Sequence, residues 1–173
     1  MSIIASIQWR LSERRLHRLH LLPKRVPRLR ALYLATDLHQ ALYESRPTSE
    51  ETQRFANLDA DLAQFVTSPT IGPRYLFRLA PASDCVWEIR SVQPEPQLRV
   101  LGLFAAKDTF VATHYELRSM LGMDREAWRT AKRRAGAEWR RLFPGYDPRC
   151  ETDIHQLVTG AINAKYFRNI RNP

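Results

Sequence analysis

Apolar positions along the first half of the chain recur with a helical period. Leu34, Leu38, Ala41 and Leu42 fall on one face of a segment over 31–45, and Pro47 stops it. Thr48 and Glu51 have the spacing of a capping box. Phe55, Leu58, Leu62, Phe65 and Val66 then form one stripe that ends at Ser68-Pro69 and Gly72-Pro73. The short connection predicts a helical hairpin with an acidic outer face.

Beyond residue 74 the period changes. The runs 75–80, 85–92, 98–104 and 109–114 are rich in β-branched and aromatic residues and are separated by short turn-like stretches. Such connections join antiparallel neighbours, so a four-stranded antiparallel meander is expected. In the third run Leu98, Val100 and Phe104 alternate with Leu101 and Leu103, the mark of a strand covered on both faces. A third helix is predicted from an N-cap at Asp124 to about Phe143, ahead of Pro144-Gly145, with Trp128, Ala131, Ala135, Trp139 and Leu142 buried. A last helix is expected over 153–168. The plan is α+β: a helical hairpin packed on a small four-stranded antiparallel meander, with additional C-terminal helices.

With 173 residues and 44% hydrophobic composition, one compact domain over 31–173 accounts for the chain, preceded by an arm at 1–30. Net charge changes the picture. It is +9, and it is unevenly placed. Residues 1–30 carry eight basic groups against Glu13 alone, residues 31–66 carry a net of −4, and the remainder a net of +6. A localised cationic surplus favours a polyanionic partner, and the basic N-terminus reads either as an arm tracking phosphates or as a solvated start.

No uncharged apolar run approaches the roughly 18 residues of a membrane span. The N-terminus lacks the layout of a secretory signal, so a cytoplasmic location is expected. Cys85 and Cys150 form no CxxC pair and read as free thiols. His17 and His20 are spaced i, i+3 without Cys or carboxylate neighbours, which an Arg-rich helix explains better than a metal site. No phosphate loop, zinc-ligand cluster or nucleophile elbow occurs, and no cofactor or metal is expected.

Candidate chemistry lies in the strands. Arg90 ends one run and Arg99 begins the next, so hairpin pairing would bring two guanidiniums to one end of the sheet. Such a pair can hold a phosphate and stabilise the charge that develops on it. Lys107, His114 and Tyr115 are the nearby groups that could move a proton. The alternative has Arg90 paired with Glu88 or Glu95, and Arg99 extending from a strand end.

The order of elements, with Val86-Trp87-Glu88-Ile89-Arg90 followed by Leu98-Arg99-Val100-Leu101-Gly102-Leu103-Phe104, resembles the RelE/HigB-like toxin superfamily over about 31–115. The resemblance implies a small basic ribonuclease that acts on messenger RNA at the ribosome, needs no metal and is held inactive by an antitoxin. It gives Arg90 and Arg99 the phosphate-binding roles. Where the family carries a Lys pair or a terminal aromatic, this chain reads Thr113-His114-Tyr115-Glu116-Leu117-Arg118, and 116–173 form a helical extension outside the toxin plan.

A second expectation is a non-catalytic nucleic-acid-binding module using Arg125, Arg129, Lys132, Arg133, Arg134, Arg140 and Arg141 on the third helix. A third is a scaffold that docks a basic partner on Glu50, Glu51, Asp59 and Asp61.

Overall fold

The computed structural model describes residues 2–21, 26–44, 48–91 and 93–167. Helix α1 (Ile3–Ser12) opens the chain, capped by the Ser2 hydroxyl, which accepts from the Ala5 amide at 3.2 Å. Strands β1 (Leu16–Arg18) and β2 (Ala31–Ala35) follow, then helices α2 (Thr36–Tyr43) and α3 (Ser49–Thr67). Strands β3 (Leu76–Arg78), β4 (Trp87–Arg90), β5 (Leu98–Ala106) and β6 (Thr109–Leu117) come next, then a short turn of helix α4 (Arg118–Leu121) and the long α5 (Arg125–Leu142).

The fold is α+β, but its sheet is not a four-stranded antiparallel meander. It has six strands in the order β1-β2-β6-β5-β4-β3, with β2 parallel to β6 and every other pairing antiparallel. Two strands account for the difference: β1 lies in the stretch expected to be an arm, and β2 lies within 31–45, where the pattern predicts only helix. Residues 31–35, Ala-Leu-Tyr-Leu-Ala, form a continuous apolar run, and such a run suits a buried parallel strand as well as a buried helical turn. Pairing with residues 109–112 of β6 settles the matter, and the helix starts only at Thr36.

The layers are α2/α3, sheet, then α1/α5. Leu38, Leu58, Leu62 and Phe65 pack with Leu34, Ile89, Val100 and Phe110 on one face. Ile7, Ala131, Ala135 and Trp139 pack with Tyr33, Leu101, Leu103 and Val111 on the other. Strand β5 is buried from Leu98 to Ala105. Its bulge at Leu101/Gly102 needs a glycine: a Cβ at 102 would stand 2.3 Å from the Val111 carbonyl oxygen.

The N-terminal stretch is not a solvated arm. Ile7, Leu16 and Leu19 are buried, and two of its arginines serve as internal donors. Arg10 Nε donates to the Leu142 carbonyl at 2.6 Å, and Arg30 Nη1 donates to the carbonyls of Phe65 and Ser68 at 2.9 and 2.7 Å. Lys24 and Arg25 lie outside the described residues. His17 and His20, expected on an Arg-rich helix, lie on and just after β1. The His17 ring stacks on His39 of α2 at 3.9 Å between centroids.

The last helix expected over 153–168 is also absent from the described residues. Two 3-10 turns, Ile154–Gln156 and Ala164–Phe167, take its place. Of the apolar residues Ile154, Leu157, Val158, Ala161 and Ile162 that suggested a helix, the first four are buried, but Ile162 is 45% exposed. Gly160, however, adopts φ +78° against the Pro69 carbonyl and interrupts the segment, so Ala161 bridges Ile71. Nor are the cysteines free: Cys85 and Cys150 are joined in a disulfide whose Cα atoms are 5.0 Å apart. Their separation of 65 residues hid this, because only tertiary packing brings them together.

Candidate nucleic-acid interface

Strand register decides which candidate residues meet. Arg90 pairs with Arg99 across β4–β5, Arg99 with Glu116 and Leu101 with His114 across β5–β6. Side chains alternate in a strand, so Glu88, Arg90, Arg99, His114 and Glu116 all point to the face covered by α5. Tyr115 points to the opposite face, where its ring lies 5.9 Å from that of Phe55. Lys107 occupies the β5–β6 turn, eight residues from Arg99 and so about 26 Å along the strand. The expected catalytic set therefore divides. Arg90, Arg99 and His114 share a surface; Lys107 and Tyr115 do not.

The two guanidiniums converge on a single carboxylate. Glu88 is 1% exposed; its Oε1 accepts from Arg90 Nε at 2.6 Å, and its Oε2 lies 3.7 Å from Arg99 Nε. Arg99 is buried and donates further to the carbonyls of Ser91 and Leu98, both at 3.1 Å, and to Gln97 Oε1 at 2.7 Å. Burial lowers its pKa, Glu88 opposes that shift, and Arg90 and Arg118 add to it. Arg99 is thus held by internal acceptors. Arg90 is freer, its guanidinium over the Phe77 ring at 3.7 Å and its side chain 30% exposed.

His114 Nε2 is buried without a hydrogen-bond partner and lies 3.7 Å from Glu116 Oε2, which Arg134 of α5 also approaches at 3.8 Å. Burial lowers the His114 pKa; Glu116 and Asp37 oppose the shift and Arg134 reinforces it. Burial thus favours the neutral imidazole over the protonated one. Glu88, Glu116 and Arg118 are the members that residue spacing did not single out as site residues. Alternation from Arg90 and Arg99 could have flagged Glu88.

The basic residues of α5 also divide. Asp124 caps the helix, accepting from the Glu126 amide at 2.8 Å. Arg134 faces Glu116 and the sheet cluster. Arg129, Lys132, Arg133 and Arg140 line a groove on the other flank, against the loop that carries Pro81, Asp84 and Val86. Lys132 is only 9% exposed, its Nζ bonded to the Ala80 carbonyl and to Asp84 Oδ2 at 2.8 Å, so it supports the groove from within. Arg141 is bound to Glu138, and Arg125 is exposed in the first turn.

Among the described residues, no group of three or more His, Cys, Asp or Glu side chains is placed to hold a metal ion, and no helix is long and apolar enough to cross a membrane. No family model, curated protein or solved structure matches the chain.

Proposed function

We propose that this protein binds RNA as a RelE/HigB-like toxin component. The observation that carries the reading is the placement of Arg90, Arg99 and His114 on one sheet face, with Arg118 and Glu88 beside Arg99 and with Arg134 and Glu116 beside His114. Arg134, whose side chain is 62% exposed, and Arg90, 30% exposed, are the guanidiniums with surface left for phosphate oxygens. Arg99 is a positioning residue: anchored to three acceptors, it holds Glu88, which in turn orients Arg90. Messenger RNA at the ribosome is the substrate class this reading names, with an antitoxin as cognate partner and the cytoplasm as location. Disulfides are uncommon in that compartment, so counting free thiols in protein extracted under acid quench tests the location directly.

The neutral His114 favours endoribonuclease activity as a second reading. In that chemistry the imidazole takes the proton of a ribose 2′-hydroxyl, and the oxygen attacks the adjacent phosphorus. The 5′-oxygen leaves with a proton from solvent, giving a 2′,3′-cyclic phosphate. Arg90 stabilises the charge on the phosphoryl oxygens.

Two measurements test the pair of readings. Salt-dependent RNA binding that weakens in Arg90→Gln/Arg134→Gln supports the first, and binding unaffected by that change overturns it. Growth arrest on expression, with cyclic-phosphate products that vanish in His114→Gln while RNA binding persists, supports the second. Intact RNA with the unaltered protein overturns it.

A further inference from the structure

The outer flank of α5 carries a feature that the sheet-face cluster does not use. Arg129, Arg133, Gly136 and Arg140 recur along one side of the helix and face the 81–86 loop across a groove of about 420 Å³. The opposite wall is built to stay in place. The 3-10 turn Ala82–Asp84 ends in Cys85 at φ +56°, whose amide donates to the Ala82 carbonyl at 3.1 Å. Cys85 is bonded to Cys150, and Arg78 Nη2 donates to the same Ala82 carbonyl at 3.0 Å. The Cys150 segment is itself docked, the Arg149 amide donating to the Phe104 carbonyl at 2.8 Å. Asp84 on this wall is neutralised by Lys132 at 2.8 Å.

Gly136 is the second observation. A glycine inside a helix is unfavourable relative to alanine, and a Cβ here would meet only Arg140 Nη1, at 3.5 Å. Packing does not demand the glycine. Its effect is to leave the groove floor open.

We propose that this groove is a second nucleic-acid contact, binding a run of backbone phosphates separately from the face around His114. Helical rise places Arg133 about 6 Å beyond Arg129, and Arg140 about 10 Å further on. A row of that length suits a chain of phosphates better than one small anion. Glu126 pairs with Arg129 at 2.6 Å and Arg133 at 3.1 Å, but all three side chains are more than half exposed, so water screens those pairs and a phosphate can displace them. An anionic membrane is the poorer fit, because surface-binding helices need an apolar side to insert and this flank presents guanidiniums. The inference rests on the RNA-binding reading for its probe.

The test uses the full chain with its disulfide intact and a labelled single-stranded RNA oligonucleotide, with affinity followed by anisotropy over a range of salt. Gly136→Met fills the groove while improving helix propensity. It is expected to weaken binding about tenfold or more, with no loss of melting temperature. Arg129→Gln/Arg133→Gln is expected to flatten the log–log salt slope by about 1.4, at about 0.7 per single-strand phosphate contact. Both variants binding like the unaltered chain, while Arg90→Gln/Arg134→Gln loses affinity, overturns the groove and leaves the RNA-binding reading standing. No RNA binding by the unaltered chain overturns both. Binding to phosphatidylglycerol vesicles in place of RNA assigns the groove to a membrane surface and overturns the proposal.

Discussion

Replacing Glu88 by Gln isolates the charge at the centre of the sheet cluster. The side chain keeps its length and one carbonyl acceptor for Arg90 Nε, but the negative charge facing two guanidiniums is lost. Glu88 is 1% exposed and Arg99 is 8% exposed, so both stand in a poorly screened setting. Removing one partner of a buried ion pair costs about 3–5 kcal/mol. Arg99 retains the Ser91 and Leu98 carbonyls and Gln97, which places the loss at the lower end, about 3 kcal/mol. For a chain of this size that is a fall in Tm of about 6–12 °C, measurable by calorimetry. Function moves the opposite way. The new amide still offers Arg90 an acceptor, but the negative charge beside the phosphate site is gone. RNA affinity in the folded protein therefore rises while the salt slope stays nearly the same, because Arg90 contacts phosphate in both forms. Arg99→Met leaves the carboxylate with less compensation, and the double variant is expected to be less damaged than the sum of the singles. A Tm within about 2 °C of the unaltered protein would show that Glu88 does not stabilise Arg99, and RNA affinity that falls at matched folded fraction would show that its charge does not oppose phosphate binding.

Three further outcomes follow from the geometry. The His39 pKa is lowered by burial first and by His17 and His20 next, and that of His114 by burial first. Below the ordinary value near 6.5 the unfolded chain binds more protons than the folded one, so this stability is full above that pH and is lost as pH falls toward the folded values. Urea midpoints at about pH 7.5 and about pH 5.5 test it, and His39→Gln should shrink the difference. Cys85→Ser/Cys150→Ser frees a loop of 65 residues, worth about 4 kcal/mol in chain entropy; calorimetry should show a Tm fall of about 8–16 °C, and no fall would show that the bridge constrains little. Ile7→Ala should cost about 2–4 kcal/mol, because Ile7 is 1% exposed; a negligible change in denaturant midpoint would restore the view of residues 1–30 as a loose arm.

Where local chemistry suffices, the sequence was enough. Thr48 with Glu51, and Asp124 ahead of the Trp128–Leu142 stripe, carry their own caps and period, so α3 and α5 begin and end close to where their residues predict. Alternation along residues 98–104 likewise marked β5 as covered on both faces, and hairpin spacing brought Arg90 opposite Arg99. Other features needed contacts between residues far apart. Ala31–Ala35 has no period that separates a buried strand from a helical turn, and β6, some eighty residues on, decides it. The charge count around 1–30 cannot show that Arg10 and Arg30 end on carbonyls at residues 142, 65 and 68. Cys85 and Cys150 carry no local sign of one another. Local periodicity and capping are short-range energies that a string of residues specifies. The counter-charge an arginine meets, the face a histidine shares and the sulfur a cysteine finds are set by packing across the sheet.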